Sequence, residues 1–380
     1  MKKKRSIFSL SSGIVAGIAT IIVAVALVAS SLAGYVDPAL FPIAGVVVMI
    51  MPVVFPVALV LFVADALWWR RPALIMGLAM AVSMPAIVDT FPVGTGGFVN
   101  TRCDKENWPR ITMLSFNCAG WIDLTGEYKN GLNPAAEMIL STNADIVVLQ
   151  ESDSLVERKG ARLTQALVDT LHLRYPYVID SQKRRLTLLS KFPSVPVPTP
   201  NTELNSTIDE IAAYDIDIYS QHVTLFSVHL HSIGLTVDDK ALYEDVTNLD
   251  DRKDYSRSTI SKVRHELIGK LSAAAATRSR QVGMLGEYIL NRAGENVIVC
   301  GDFNDVPSCY ALSRLRGLGL REVYPAVGKG YMSTFNRNRF WFRIDHVLWR
   351  GAFRPMSMKR IHSMCSDHYA LLTEFAVVPR

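Results

Sequence analysis

The first hundred residues limit this chain more than any other feature. Ser6 to Val36 carries no charged side chain, and a second uncharged run extends from Pro38 to Ala64. A helix needs about 20 apolar residues to cross a hydrocarbon core about 30 Å thick, so both runs are long enough to span a bilayer. A third run, Pro72 to Val88, ends at Asp89 and continues as the uncharged, glycine-containing stretch Thr90 to Thr101. It fits a short span, or one that carries Asp89 near the interface. The expectation is a membrane region over residues 1–100, embedded in a lipid bilayer, with about three transmembrane helices near 7–33, 40–64 and 72–92.

A cleaved secretory signal would also begin with basic residues such as Lys2, Lys3, Lys4 and Arg5. Its apolar core is only about 7 to 15 residues, however, and here two more apolar runs follow. The excess of positive charge on cytoplasmic loops then assigns sides. Lys2 to Arg5 face the cytoplasm, the Gly34 to Asp37 turn faces out, and Trp68-Trp69-Arg70-Arg71 sits at the cytoplasmic interface. Three crossings of a bacterial-type plasma (inner) membrane leave everything after about Phe98 on the periplasmic or extracellular side; two crossings would reverse this. The spans carry few polar groups, which argues against a transporter.

Composition matters chiefly through where the charge lies. The chain has 380 residues, 49% hydrophobic and 20% charged, with a net charge of +5. Four of those charges are Lys2 to Arg5, and the chain from Arg102 onward keeps only about +2. The basic balance therefore gives little support to a nucleic-acid-binding surface on the soluble part. Cys103, Cys118, Cys300, Cys309 and Cys365 form no CxxC pattern, which argues against a disulfide framework or a structural zinc site.

From Arg102 the pattern changes to short apolar runs separated by turn residues. Strands are expected at Ile111 to Cys118, Asp145 to Gln150, Leu186 to Ser190, Ile211 to Ile218, His222 to Leu230, Asn296 to Cys300, Ile344 to Trp349 and Ala370 to Ala376. Helices are expected at Asn133 to Thr142, Ala161 to His172, Ser256 to Arg292 and Ser308 to Arg316, with Pro134 at a helix start and Gly294 at a helix end. The interleaving implies a layered α/β domain with one core, over residues 101–380. Thr236 to Asp254 is highly charged and reads as a surface excursion.

Several apolar strands end in acidic, amide or imidazole side chains: Asn117, Glu151, His229, Asp302 with Asn304, Asp345, and Asp367 with His368. Rigid strand ends can project such groups into one crevice. Hard cations such as Mg²⁺ take carboxylate oxygens, and Glu151 and Asp367 suit that role. A phosphodiester repels nucleophiles, so its hydrolysis needs a metal and hydrogen-bond donors to offset charge in the transition state. Asn117, Asn304 and the imidazoles can donate. Asp302 could orient or deprotonate water, and Asp345 could hold His368 in one tautomer and favour its protonated form.

The motifs Ser115-Phe116-Asn117, Leu149-Gln150-Glu151, Leu188 to Pro193, Val228-His229-Leu230, Gly301 to Pro307, Ser333-Thr334-Phe335, Arg343 to Leu348 and Ser366-Asp367-His368 occur in one order. In these the chain from about Ile111 to Phe375 resembles the endonuclease/exonuclease/phosphatase superfamily, deoxyribonuclease I-like proteins that include abasic-site endonucleases and neutral sphingomyelinases. The resemblance implies a four-layer αββα sandwich and a metal-dependent phosphoester hydrolase site using Mg²⁺ or Mn²⁺. By that resemblance Glu151, Asp367 and Asn117 surround the metal, and Asp302 activates water. Asn304, His229 and His368 meet the substrate phosphate, and Asp345 pairs with His368. Abasic-site endonucleases carry Asp where this chain has Ala119, which lowers the expectation of that repair activity. Bacterial membrane-anchored members are the most similar: they share the N-terminal spans, a stretch like Leu235 to Lys240, and a helix like that bearing Lys270, Leu271, Ala274, Arg278 and Gln281.

Plainer readings compete. An isolated Asn is more often a turn or cap residue, and His231 lies on the same strand face as His229; His229 is favoured because Leu230 follows it as in the family. His172, His222, His265, His346 and His362 read as ordinary surface or half-buried histidines. Arg184, Arg185, Arg337, Arg339 and Arg343 are candidate contacts to a phosphate-bearing substrate. The expected function is a membrane-anchored phosphoesterase acting on nucleic acid, a lipid head group or a sugar phosphate, with no obligate protein partner inferred. The reading of another class is a non-catalytic binding module on the same sandwich.

Overall fold

The computed structural model describes residues 7–94, 107–122, 133–152, 163–181, 185–198, 211–233, 257–336 and 341–379. Lys2 to Arg5, Cys103, Arg184, Thr236 to Asp254, Arg337 and Arg339, together with the side chain of His265, lie outside the described residues.

The apolar N-terminal runs form helices α1 (Ile7–Ala33), α2 (Ala44–Val47), α3 (Met51–Trp68), α4 (Arg70–Val82) and α5 (Met84–Thr90). Two stretches, Gly13–Ala33 and Ala44–Trp68, are long and apolar enough to cross a membrane. The third run is broken: α4 and α5 meet at a 68° bend, the geometry of either one broken span or a re-entrant loop. Buried hydroxyls in this bundle find partners within it, Ser30, Ser83 and Thr90 donating to backbone carbonyls. Thr20 Oγ1 donates to the buried Asp65 carboxylate at 2.6 Å.

The remaining helices are α6 (Pro134–Thr142), α7 (Gln165–Arg174), α8 (Arg257–Arg292), α9 (Tyr310–Gly317) and α10 (Val323–Val327). The first sheet contains β1 (Arg110–Asn117), β2 (Ile146–Gln150), β3 (Tyr177–Ser181), β4 (Leu186–Ser190), β11 (Phe353–Ile361) and β12 (Ala370–Val377), in the order β11-β12-β1-β2-β4-β3. The second contains β5 (Ser194–Val197), β6 (Ile211–Ile218), β7 (Gln221–His229), β8 (Val297–Asp302), β9 (Arg321–Glu322) and β10 (Asp345–Arg350), in the order β5-β6-β7-β8-β10-β9.

Strand alternation places every second side chain between the sheets. Met113, Val148, Leu188, Tyr214, Leu225, Cys300 and Val347 fill that seam and are all fully or almost fully buried. The opposite faces carry Leu114, Phe116 and Val147 against α6 and α7, and Phe226, Val228 and Val299 against α8 and α9. This is the four-layer αββα sandwich. Helix α6 starts where its sequence says it should: Asn133 caps it by accepting from the Ala135 and Ala136 amides, and Pro134 occupies the first turn. Such a cap is worth about 1 kcal/mol. On α8, Val282, Leu285 and Ile289 recur on one face and are buried, each contributing roughly 1.5–3 kcal/mol on burial.

The N-terminal helices dock on that same helical layer. Ala33, Ala44 and Val48 belong to the buried cluster formed by α8, α9, β7 and β8. Gly34 sits so close to the loop after β8 that a Cβ there would lie 1.8 Å from the Ser308 carbonyl oxygen. Ser279 donates to the Asp37 carboxylate, and Asp89 pairs with Arg316 at 2.8 Å while its carbonyl accepts from Arg343.

Candidate active site

Strand register brings the polar strand ends together. β1 and β2 are parallel with Asn117 beside Gln150, so Glu151 emerges next to Asn117. β7 and β8 are parallel with His229 beside Asp302, and antiparallel β10 places Asp345 directly across from Asp302. β12 begins two residues after His368 and pairs with β1 through Ser115 and Leu371. One end of the sandwich thus collects side chains from both sheets. Local backbone choices sharpen the arrangement. Gly301 has φ of 136° and a Cβ there would lie 2.0 Å from the Val228 carbonyl oxygen, so only glycine lets β8 approach β7 this closely. Glu151 and Asn304 both adopt φ of 50°, a left-handed conformation costing roughly 1–2 kcal/mol in a non-glycine residue. Such strain concentrates at functional positions.

Asp302 is the hub. Its Oδ2 accepts from Asn117 Nδ2 at 3.0 Å and lies 3.6 Å from His368 Nε2 and 3.8 Å from His229 Nε2. Its Oδ1 accepts the Asn304 backbone N–H at 2.8 Å. Asn117 Nδ2 also reaches Glu151 Oε1 at 3.1 Å, and His229 Nε2 lies 3.6 Å from that oxygen. Asn117 and Asp302 are 1% exposed, whereas the Glu151 side chain is 30% exposed.

A carboxylate–imidazole–carboxylate line runs through this hub. Asp345 Oδ2 bonds His368 Nδ1 at 2.9 Å, with Asp302 on the other side of the ring. Burial alone would push the His368 pKa down, but Asp345 and then Asp302 outweigh it and lift the value to about 10. Burial pushes Asp302 up from the ordinary carboxylate range, with His368 opposing and Asp345 adding to the rise. A proton is therefore held among three groups, and the imidazole is a donor at neutral pH. Phe335 packs edge-on against the His368 ring at 5.2 Å.

The structure places Asn117, Glu151, His229, Asp302, Asp345 and His368 in one cluster. Asn304 lies at its edge and fixes Asp302 through its backbone, while its side-chain amide donates to the Leu230 carbonyl at 2.9 Å. Asp367 is half-buried next to His368, and its carboxylate makes no hydrogen bond or ion pair among the described residues. The His231 backbone is tied to α8: its N–H donates to Gln281 and its carbonyl accepts from Arg278. Arg185 lies 3.8 Å from Glu151.

Two expectations need correction. His346 is not a surface or half-buried histidine; it is 1% exposed, bonding Glu322 through Nδ1 at 2.7 Å and the Asp305 carbonyl through Nε2 at 2.9 Å. Arg343 is not available to substrate phosphate, because it is 1% exposed and bonded to Glu322 and the Asp89 carbonyl. Sequence reasoning also passed over two supports. Thr334 Oγ1 accepts the Ile344 and Asp345 amides, and Ser366 Oγ donates to the Asn117 carbonyl at 2.7 Å while accepting from the His368 amide. Both lie inside motifs already singled out, which is the signal that could have found them.

The donor set fits a hard divalent cation. The Glu151 carboxylate is partly exposed beside the Asn117 amide, and the Asp367 carboxylate has no hydrogen bond or ion pair among the described residues; carboxylate oxygens left open in this way suit Mg²⁺ or Mn²⁺. Asp302, Asp345 and His368 also offer three ligand atoms within 4.8 Å of one another. That trio is the poorer holder, since both His368 nitrogens face carboxylates and the ring is held protonated.

Fold and cluster together define a sandwich with an acid–amide–imidazole cluster at one end of the seam between its two sheets. Residues 114–368 match the model of the Endonuclease/Exonuclease/phosphatase family, and the chain belongs to that family. Residues 13–90 match a domain of unknown function (DUF8431). No curated protein matches the chain. Among solved structures it is similar to humanized D. rerio TDP2 carrying 14 mutations, at 18% identity and a TM-score of 0.41, covering 70% of this chain and 98% of that one. It is also similar to an endonuclease/exonuclease/phosphatase from Beutenbergia cavernae DSM 12333 (16% identity, TM-score 0.44, 71% and 72% covered) and to the human Nocturnin catalytic domain (16%, 0.44, 71% and 94%).

Proposed function

We propose that this chain is a membrane-anchored, divalent-metal-dependent phosphoester hydrolase that promotes attack of water on phosphorus. The observation that carries the reading is the buried Asp302 carboxylate, raised by burial and flanked by Asn117, His229 and His368. Asp302 accepts the proton of the attacking water, and the Asn304 amide holds the carboxylate in the orientation for it. His368, kept protonated by Asp345, and His229 donate to the phosphoryl oxygens as negative charge builds there. Glu151, Asn117 and Asp367 would hold Mg²⁺ or Mn²⁺, which supplies Lewis-acid stabilisation of the phosphoryl group.

A lipid or sugar phosphate substrate is favoured over a duplex nucleic acid by two observations. The domain is nearly neutral, and the loop after β8, four residues past Asn304, packs on Gly34 at the end of α1. The helices would cross a plasma membrane three times, with the hydrolase domain on the non-cytoplasmic side. The test is hydrolysis of bis-p-nitrophenyl phosphate, sphingomyelin, inositol phosphates and single-stranded DNA by full-length protein in detergent with Mg²⁺. Turnover abolished by EDTA and by Asp302→Asn is the expected result. No turnover on any of the four, by wild type or variant, would leave a non-catalytic binding module. Protease cleavage of the domain only in inside-out vesicles would overturn the outward placement.

A further inference from the structure

A second polar cavity lies away from the candidate active site, where α5 meets the edge of the second sheet. Its volume is about 850 Å³, and it is lined by Arg316, Arg321, Arg350 and Arg354 together with Asp89 and Glu322. The two acids are already matched. Asp89 pairs with Arg316 at 2.8 Å, and Glu322 accepts from Arg343 at 2.7 Å as well as lying 3.4 Å from Arg316. The other three guanidinium groups have no carboxylate partner among the described residues. Arg350 donates to the Leu318 and Gly294 carbonyls, and Arg354 to the Gly351 and Phe353 carbonyls, contacts that orient the groups without neutralising them. Arg321 is exposed, and no hydrogen bond or ion pair of its side chain is seen among the described residues. Val327, Pro325 and Trp349 add an apolar wall.

The position of the cavity suggests its ligand. Asp89 lies in the last turn of α5, where the third apolar run gives way to polar chain, and the next residues, Pro92 and Val93, are tied to Gly330 and Lys329 beside the cavity. In a bilayer that transition falls in the head-group zone. Arginine forks match phosphate oxygens bidentately, and basic residues at that depth attract anionic lipids. A cavity of this size accepts a head group and its glycerol, with the apolar wall meeting the first acyl carbons. We propose that this cavity binds the phosphate-bearing head group of an anionic lipid, held by Arg321, Arg350 and Arg354. The placement rests on the reading of the N-terminal helices as membrane-embedded; it does not depend on the hydrolytic activity.

The experiment is calorimetric titration of full-length protein in a neutral detergent with dioctanoyl phosphatidylglycerol, dioctanoyl phosphatidylcholine and inorganic phosphate. Phosphatidylglycerol should bind at least tenfold more tightly than either of the others, and R321A/R354A should weaken it at least tenfold. Both arginines are exposed, so the double variant should keep the wild-type thermal midpoint. Val327→Trp, which fills the cavity without changing charge, should weaken binding as well. Equal binding of phosphatidylcholine would overturn the charge recognition. Inorganic phosphate binding as tightly as the lipid would make this a free-anion site, and undiminished lipid binding by both variants would overturn the location. Wild-type lipid binding without turnover of any of the four phosphoester substrates named above would refute the proposed activity and leave the lipid site standing.

Discussion

Asp345 and His346 are neighbours on β10, and each belongs to a buried carboxylate–imidazole pair, yet the two pairs sit in opposite surroundings. On one face of the strand Asp345 holds His368, whose other side meets Asp302, so the ring lies between two carboxylates. On the other face His346 bonds Glu322, but that carboxylate is also bonded by Arg343 and lies near Arg316, and the second ring nitrogen is taken by the Asp305 carbonyl. The first pair keeps an excess of negative charge that a cation can meet. The second is saturated. The contrast teaches that burial and pairing alone do not distinguish a candidate site histidine from a structural one; what separates the two is charge left unmatched by protein.

The comparison can be broken by substitution. Asp302→Asn should lower kcat by about 10³-fold, in the range for loss of a general base, while leaving the thermal midpoint at or above wild type because a buried charge has been removed. Steady-state kinetics and thermal unfolding on the same preparation check both halves. Glu322→Gln should do the reverse. It leaves buried Arg343 and His346 without their acid, at a cost of about 3–5 kcal/mol in stability, with kcat per folded molecule within a few fold of wild type. Equal losses of activity in the two variants would erase the distinction.

Acid titration sharpens the same contrast. Burial opposes ionisation of Glu322, but Arg343 and His346 overcome it and hold its pKa at about 2 against an ordinary 4.5. A depressed carboxylate stabilises the fold fully above its unfolded pKa, and the contribution disappears as pH falls from about 4.5 toward about 2. Its size is roughly 3 kcal/mol. Denaturant unfolding at steps from pH 6 to pH 2.5 should show that loss in the wild type and a flatter profile in Glu322→Gln. The smallest effect is expected at the rim: Arg185→Ala, removing a half-exposed cation 3.8 Å from Glu151, should raise KM by a few fold with kcat nearly unchanged.

Most of the architecture was legible because the central strands are buried on both faces and read as apolar runs. All eight expected strands are present within a residue or two. The four that escaped, β3, β5, β9 and β11, are the four edges of the two sheets. Edge strands need no continuous apolar run and tolerate proline, as Pro196 in β5 and Pro355 in β11 show. The expected helix over Ser256 to Arg292 is observed as α8. The candidate site residues were readable because each lies at or within a few residues of a strand terminus, a local signal. The Glu322–Arg343–His346 network was not, since its members are polar residues from different segments whose burial follows only from tertiary packing. The broken third helix was also hidden: Pro85 follows the bend at Ser83 by two residues, within a run whose apolar character does not change.

The seating of Ala33, Ala44 and Val48 within the core cluster of the sandwich has a consequence for biosynthesis. These residues precede every strand of the sandwich in the chain, so one wall of its core is synthesised before the sheets that pack on it. A protein started at residue 101 would expose that wall's apolar counterpart on α8 and α9 to water. The N-terminal helices are, in this sense, a template for the sandwich they pack against.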